Sequence, residues 1–293
     1  YSLSLGGSAG NTIRAMARLG TDVGFIGKVG NDTTGDFYEQ ALRNIGVEPY
    51  ILRSKYRSGK CVSLVSPDGE RTLVTHLGAA AHLHPEDIDG AVFDDYDCLY
   101  IEGYLVQDHN LIRTTIEKAK QHGLKVAIDL ASFNVVEENC DFLRDLVAKH
   151  VDILFANEDE ARAFSGEQEP INALQYISNM CELAIVKIGM KGALIKRGDE
   201  VVQVGIMAAA KRVDTTGAGD FYAAGFLSAL CEGMPFNAGS SFTGNVPVSI
   251  TSYVLPVEKL VNSPSSIATP SSIITAAGPA AASTQLTSSP IES

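Results

Sequence analysis

The sequence has few basic residues and no long apolar segment. Its 23 lysines and arginines are outnumbered by 35 aspartates and glutamates, which gives a formal net charge of -12, and no block of basic residues occurs. A surface of this kind repels phosphate backbones and anionic lipid. No apolar run approaches the ~20 residues needed to cross a bilayer. We therefore expect neither nucleic acid nor a membrane as a partner.

Closely spaced cysteines are also absent. The five cysteines lie far apart in the chain and form no CxxC pair. This spacing argues against a zinc knuckle and against a disulfide framework. Unpaired thiols are typical of a reducing compartment, so the cysteine usage predicts a cytoplasmic protein.

Two common nucleotide-binding motifs are missing as well. The sequence contains no GxxxxGK[ST] segment and no GxGxxG segment after a first strand. The first absence argues against a Walker-type nucleotide fold, and the second argues against a dinucleotide-dependent dehydrogenase.

Between residues 95 and 205, short apolar runs alternate with segments of helical length. Four runs predict buried strands: DCLYIEG (97–103), LKVAIDL (124–130), VDILFAN (151–157) and ELAIVKIG (182–189). This alternation predicts an α/β fold with a parallel sheet. Ligands of such sheets bind beyond the carboxyl ends of the strands.

The first 77 residues predict a helix, a strand and a hairpin. SAGNTIRAMARLG (8–20) is typical of a helix that Ser8 or Asn11 caps and Gly20 ends, and TDVGFIG (21–27) follows as a strand. SGKCVSLVSPDGERTLVTHL (58–77) alternates around a PDGE turn, which is typical of an antiparallel hairpin. The hairpin is either a lid, at about 51–77, or an extension of the main sheet.

The segment VDTTGAGDFYAAG (213–225) places a turn of small residues before an acidic residue. If Gly217, Ala218 and Gly219 lead into a helix from Asp220 to Leu230, their N–H groups make an anion site at its positive end. Asp220 can then accept a proton from an attacking hydroxyl. The alternative interpretation is that Asp220 only caps the helix.

Five motifs occur in a fixed order: GGSAGN (6–11), GKVGND (27–32), NEDEA (157–161), KIGMKG (187–192) and DTTGAGD (214–220). Together they resemble the ribokinase or PfkB family of sugar and nucleoside kinases, over residues 1 to about 235. SPDGERT and IEGYLV are most similar to bacterial carbohydrate and adenosine kinases. The resemblance implies a ribokinase-like three-layer α/β/α fold with a mainly parallel central sheet and a small β lid. It also implies ATP and Mg²⁺ as cofactors.

The resemblance assigns roles to twelve residues. It implies Asp220 as the catalytic base, an anion hole at Gly217, Ala218 and Gly219, substrate contacts at Gly6, Gly7 and Asn11, and nucleotide contacts at Asn157, Glu160, Lys187, Gly189 and Gly192. Glu160 would also organise the hydrated magnesium. The family more often has Ser or Thr at the position of Lys187, where a lysine can meet phosphate as a point charge.

Simpler interpretations of these motifs stay open. Gly6 and Gly7 could only turn the chain before a helix, and Lys187 could be a solvated charge. Asn157 and Glu160 have the spacing of a capping box.

The two ends of the chain depart from the family pattern. The resemblance implies a strand before the first motif, so we expect an unpaired edge inside the core where that strand is missing. After a kinase domain at 1–235, residues 236–293 contain one basic residue, Lys259, and are rich in Ser, Thr, Ala, Pro and Val. This composition predicts a low-complexity, disordered tail. The tail is interpreted either as a reading-frame error or as a genuine extension.

These observations predict an ATP-dependent kinase that transfers the γ-phosphoryl group to a hydroxymethyl group of a sugar or nucleoside. The alternative is a catalytically inactive sugar- or nucleoside-binding protein that keeps the kinase fold. In either case the expected partner is a small molecule. A homodimer is also possible, because a lid hairpin in this family can pair across a dimer.

Overall fold

The computed structural model describes residues 2–65, 71–206, 217–234, 272–276 and 284–287. The strands within these ranges are β1 (Ser2–Leu5), β2 (Asp22–Gly30), β3 (Val47–Ser54), β4 (Lys60–Val65), β5 (Arg71–His76), β6 (Cys98–Glu102), β7 (Lys125–Asp129), β8 (Ile153–Asn157), β9 (Leu183–Lys187), β10 (Ala193–Arg197), β11 (Glu200–Val204), β12 (Ser272–Ala276) and β13 (Thr284–Thr287). The α-helices are α1 (Ser8–Arg18), α2 (Thr33–Asn44), α3 (His109–Gln121), α4 (Phe133–Glu138), α5 (Cys140–His150), α6 (Glu158–Ser165), α7 (Pro170–Ser178) and α8 (Ala218–Cys231). None of the helices in these ranges has the length and apolarity to span a membrane.

Nine strands form a central sheet in the order β11-β10-β9-β8-β7-β6-β12-β2-β3. Every pair from β9 to β3 is parallel, and β10 is antiparallel to both of its neighbours. All five residues of β6 are buried. Continuous burial is typical of parallel strands that are covered on both faces. The four strands predicted between residues 95 and 205 are confirmed.

The helices cover both faces of this sheet. Apolar side chains of α1, α2 and α8 pack on one face, where the rings of Phe155 and Phe226 meet edge to face at 5.5 Å. Apolar side chains of α3, α4, α5, α6 and α7 pack on the other face, with Phe164 fully buried among them. The predicted three-layer α/β/α architecture is confirmed.

Strand β12 lies in the middle of the central sheet, parallel to both β2 and β6. Ile273, Ile274 and Ala276 each have 0% exposure. The expected unpaired edge inside the core is therefore wrong.

The expectation of a disordered tail is also wrong at 272–276 and 284–287, which form β12 and β13. The average composition of the tail does not reflect short runs of β-branched residues such as SIITA. The rest of 236–293 lies outside the described residues.

A second sheet has the order β1-β13-β4-β5, and we call it the lid sheet. Its β4 and β5 pair antiparallel, which confirms the predicted hairpin. The predicted start of the lid at residue 51 is wrong, because residues 51–54 belong to β3 and pair with β2. Strand β13 pairs with β4 on one side and with β1 on the other.

Four adjacent parallel strands end in polar residues at one edge of the central sheet. Strands β6, β7, β8 and β9 end at Glu102, Asp129, Asn157 and Lys187. Glu102 is in register with Asp129, and Asn157 is in register with Lys187. This edge is where a parallel α/β sheet binds its ligands.

Candidate active site

A cavity of about 860 Å³ opens at this edge of the sheet, next to the first turns of α1 and α8. The lid sheet contributes Cys61, Leu73 and Thr75 to its wall. The cavity brings together all of the site residues that the sequence indicates: Gly6, Gly7, Asn11, Asn157, Glu160, Lys187, Gly189, Gly192, Gly217, Ala218, Gly219 and Asp220.

The first turn of α8, at Gly217, Ala218 and Gly219, lines this cavity. Gly217 is the N-cap residue with φ of +74°, a left-handed conformation that L side chains rarely adopt. Its carbonyl accepts a hydrogen bond from the Phe221 N–H. The earlier N–H groups of a helix have no acceptor within the helix, and they lie at the positive end of its dipole. The predicted helix is confirmed, but it begins at Ala218 and not at Asp220, so Ala218 and Gly219 belong to its first turn. Residues 214–216 of the motif lie outside the described residues.

Two side chains of α1 hold the Asp220 carboxylate. Ser8 Oγ donates to Oδ1 at 2.5 Å, and Asn11 Nδ2 donates to Oδ2 at 2.9 Å. Arg14 donates to Asn11 Oδ1 at 3.0 Å, which turns the amide nitrogen toward Asp220. The prediction that Ser8 or Asn11 caps α1 is wrong: Gly7 is the N-cap, and both side chains reach across to α8 instead.

The surroundings of Asp220 make it more basic than an exposed aspartate. Burial raises its pKa, while the hydrogen bonds from Ser8 and Asn11 lower it, and the net direction is upward. The negative charge of Asp129 acts in the same direction as burial. A raised pKa suits a residue that accepts a proton near neutral pH.

Asn157 and Glu160 form the capping box that their spacing indicates. The Asn157 N–H donates to Glu160 Oε2 at 2.8 Å, and the Glu160 N–H donates to Asn157 Oδ1 at 2.9 Å. Glu160 is only 3% exposed, although it lines the cavity. Burial, followed by the negative charge of Asp129, raises its pKa to about 7.

Lys187 forms an ion pair that sequence reasoning missed. Its Nζ lies 2.7 Å from Asp129 Oδ2, and the two side chains are 15% and 9% exposed. The interpretation of Lys187 as a solvated charge is therefore wrong. Burial lowers the pKa of Lys187, but the charges of Asp129 and Glu160 raise it by more, so the ammonium stays protonated. Asp129 lies one residue before the end of the predicted strand LKVAIDL (124–130) and is the last residue of β7, and this position is the signal that could have identified it.

Glu102 ends β6, one residue before the end of the predicted strand DCLYIEG (97–103), and sequence reasoning missed it as well. It is fully buried, and its Oε2 accepts the Ala9 N–H in the first turn of α1 at 3.1 Å. Its Oε1 has no hydrogen-bond partner among the described residues. Burial raises the pKa of Glu102 to about 8, so the carboxyl is largely protonated at neutral pH.

Glu102 should make the stability of the protein depend on pH. The pKa of Glu102 is higher in the folded chain than in the unfolded chain. The contribution of this difference to the free energy of unfolding is complete below the ordinary glutamate pKa, and it is lost as the pH rises toward 8. The wild type should lose up to roughly 1.4 kcal/mol of unfolding free energy per pH unit in this window relative to Glu102→Gln. Urea denaturation from pH 5 to 8 measures the difference. Exposed Glu137→Gln is the control, and parallel curves for wild type and Glu102→Gln would contradict the assignment.

Gly189 and Gly192 border the cavity in the turn between β9 and β10. Both have positive φ, +54° and +93°. A methyl group added at Gly192 would collide with the Val204 carbonyl. Glycine is therefore required at residue 192 both by its positive φ and by the close approach of the Val204 carbonyl.

Comparisons with known proteins find kinases similar to this chain. The sequence pattern described as "pfkB family carbohydrate kinase" matches residues 1–239. A ribokinase of Haemophilus influenzae is 28% identical over 253 residues, which cover 83% of this chain and 79% of the relative. An aminoimidazole riboside kinase of Salmonella typhimurium is 29% identical, with 77% and 73% covered. The crystal structure of adenosine kinase from Sinorhizobium meliloti is similar with a TM-score of 0.75 and 35% identity, over 80% of this chain and 74% of that chain.

Proposed function

Because the chain belongs to the pfkB family of carbohydrate kinases, we propose that it transfers the γ-phosphoryl group of ATP to a hydroxymethyl group of a sugar or nucleoside. The observation that carries the proposal is the position of Asp220. Its carboxylate lies in the first turn of α8, next to the anion-binding N–H groups, and is held by Ser8 and Asn11 of α1. Asp220 and these N–H groups line one cavity, which supports a site where proton acceptance and phosphate binding occur together.

Each part of the site has a separate task in this proposal. Asp220 accepts the proton of the substrate hydroxyl as its oxygen bonds to the γ-phosphorus, while the bond from the γ-phosphorus to the bridging oxygen breaks and ADP leaves. The N–H groups of Ala218 and Gly219 and the Lys187 ammonium stabilise the negative charge on the transferring group. The lid sheet limits the access of water, which would otherwise compete as the acceptor.

The charges that line the cavity fit a requirement for magnesium. Five carboxylates line it (Asp129, Glu158, Asp159, Glu160 and Asp220), and Lys187 is the only cationic side chain among the described lining residues. ATP adds further negative charge, which one lysine does not balance. Bound magnesium would neutralise phosphate charge, and Glu160 and Asn157 would hold it through its water ligands. Both Glu160 oxygens already accept hydrogen bonds from Asn157, which favours contact through water.

The substrate is identified by a panel. Purified protein with ATP and Mg²⁺ should release ADP in the presence of one of adenosine, ribose, fructose or related sugars and nucleosides, and the product should carry phosphate on the hydroxymethyl oxygen. Absence of phosphorylation with every acceptor, together with calorimetric binding of one of them, would favour a binding protein over a kinase.

Replacing Glu160 should change the magnesium requirement more than the turnover rate. Glu160→Gln removes the charge but keeps a side chain that capping boxes accept at this position. The Mg²⁺ concentration for half-maximal activity should rise by roughly 10-fold. In the wild type this concentration should fall as the pH rises through about 7, because Glu160 then ionises. The variant should lose that pH dependence. Exposed Glu167→Gln is the control, and an unchanged requirement would contradict the role of Glu160.

The proposal includes the compartment and the assembly. All five cysteines are free thiols, which supports a cytoplasmic location. Leu64 and Val74 of the hairpin are 53% and 55% exposed, which supports a homodimer that pairs through the lid sheet. Size-exclusion chromatography with light scattering distinguishes a dimer from a monomer.

A further inference from the structure

The Asp129–Lys187 ion pair lies at the floor of the cavity, and the proposed function does not explain its carboxylate. Asp129 ends β7, whereas Lys187 ends β9, two strands away in the sheet. The 2.7 Å contact therefore spans the end of the intervening β8, where Asn157 is located. Both side chains line the cavity rather than the outer surface.

The Lys187 ammonium also lies against the phosphate site. A methyl group added at Gly219 would be 3.3 Å from Lys187 Nζ, so the ammonium lies beside the first turn of α8. The anion-binding N–H groups and the lysine charge thus act on the same small volume. A lysine side chain has several rotatable bonds, and only a fixed partner keeps its charge in one place.

Asp129 is such a partner because both of its oxygens are in use. Oδ2 accepts from Lys187, and Oδ1 accepts the Ala131 N–H at 3.3 Å. Ala131 is the non-glycine residue with a positive φ, +66°, among the described residues, and its turn anchors the carboxylate to the end of β7. A carboxylate with both oxygens engaged in this way is placed to orient the lysine.

We propose that Asp129 is a positioning residue, whose carboxylate holds the Lys187 ammonium beside Gly219, where the ammonium contacts the phosphoryl group during transfer. The inference rests on the proposed kinase function and deepens it. Lys187 is the contacting residue, and Asp129 acts only through Lys187. Loss of Asp129 leaves the lysine charge in the cavity but lets it turn toward Glu160 or Asp220, away from the phosphoryl group.

A double-mutant cycle tests this dependence. Lys187→Met should lower kcat by roughly 100-fold or more, which is the usual effect of removing one hydrogen-bond donor that stabilises the charge of the transition state. Asp129→Asn should lower kcat by about 10-fold with little change in the KM for ATP. The double variant should be no slower than Lys187→Met, because residues that act as a unit are not additive. Glu182→Gln, which removes the surface partner of Lys125 at 2.9 Å and of Arg197 at 3.1 Å, is the control for losing ion pairs.

Each other outcome overturns the inference. Additive losses of kcat would show that Asp129 acts independently of Lys187. A large increase in the Mg²⁺ requirement for Asp129→Asn alone would assign Asp129 to the metal. If Asp129→Asn lowers kcat and also causes a large loss of thermal stability in the same variant, Asp129 has a structural role only. If the wild type phosphorylates no acceptor, the proposed function fails and the inference fails with it, whereas an active wild type with additive variants overturns the inference alone.

Discussion

Asp220→Asn should reduce kcat by roughly 100- to 10,000-fold, the range that a general base contributes. Asparagine has the shape of aspartate but cannot accept the proton of the substrate hydroxyl. It keeps an oxygen for the Ser8 hydrogen bond and loses one acceptor for Asn11. The KM for ATP should change little, because the N–H groups of α8 stay in place. Steady-state ADP release with the substrate found in the panel measures the effect.

The control for this substitution is Asp199→Asn, in the exposed turn between β10 and β11. It should have wild-type activity, and both variants should fold, as thermal unfolding will show. Activity that falls on the acid side at a pH above the ordinary aspartate pKa of about 4 would agree with the raised pKa of Asp220. Normal turnover by Asp220→Asn would remove the basis of the proposed mechanism.

Ile274→Asp should unfold or severely destabilise the protein. Ile274 has 0% exposure in β12, between β2 and β6, where an added carboxylate has no cationic partner among its strand neighbours. An unpaired charge in such a place costs roughly 3–5 kcal/mol, a large part of the stability of most domains. Urea denaturation followed by circular dichroism measures the loss.

Two further variants make this result specific. Val201→Asp introduces the same side chain on the edge strand β11, where Val201 is 44% exposed, and should cost little. Ile274→Val should cost about 0.5–1.5 kcal/mol, because it removes one methyl group from a packed core. If Ile274→Asp unfolds at the wild-type urea concentration, β12 does not occupy the centre of the sheet in solution.

The sequence was sufficient to predict the parts of the fold that repeat a local pattern. Buried runs such as VDILFAN predict strands wherever they occur, and glycine before Asp220 predicts a helix start. The twelve site residues could be predicted because a family resemblance supplied their grouping. Their common cavity is what the structure adds.

Other features depend on contacts between distant residues, and a local pattern does not contain them. The spacing of Ser8 and Asn11 is typical of helix caps, but their hydrogen bonds go to a residue more than 200 positions away. Asp129 and Lys187 are separated by 58 positions and meet only because their strands end at the same edge. The SIITA segment has the β-branched residues of a strand, but it is only five residues long and lies in a low-complexity region, so the composition of that region led to a prediction of disorder.

The position of β12 also affects how the protein emerges from the ribosome. The Ser272 hydroxyl donates a hydrogen bond to Asp97, 175 positions earlier in the chain. Strands β2 and β6 are therefore synthesised long before β12, the strand that pairs with both. During that interval both strands present open hydrogen-bonding edges to the cell, and such edges promote aggregation. Closing a contact of this range is also slow. Nascent chains should therefore depend on chaperones until the SIITA segment is released.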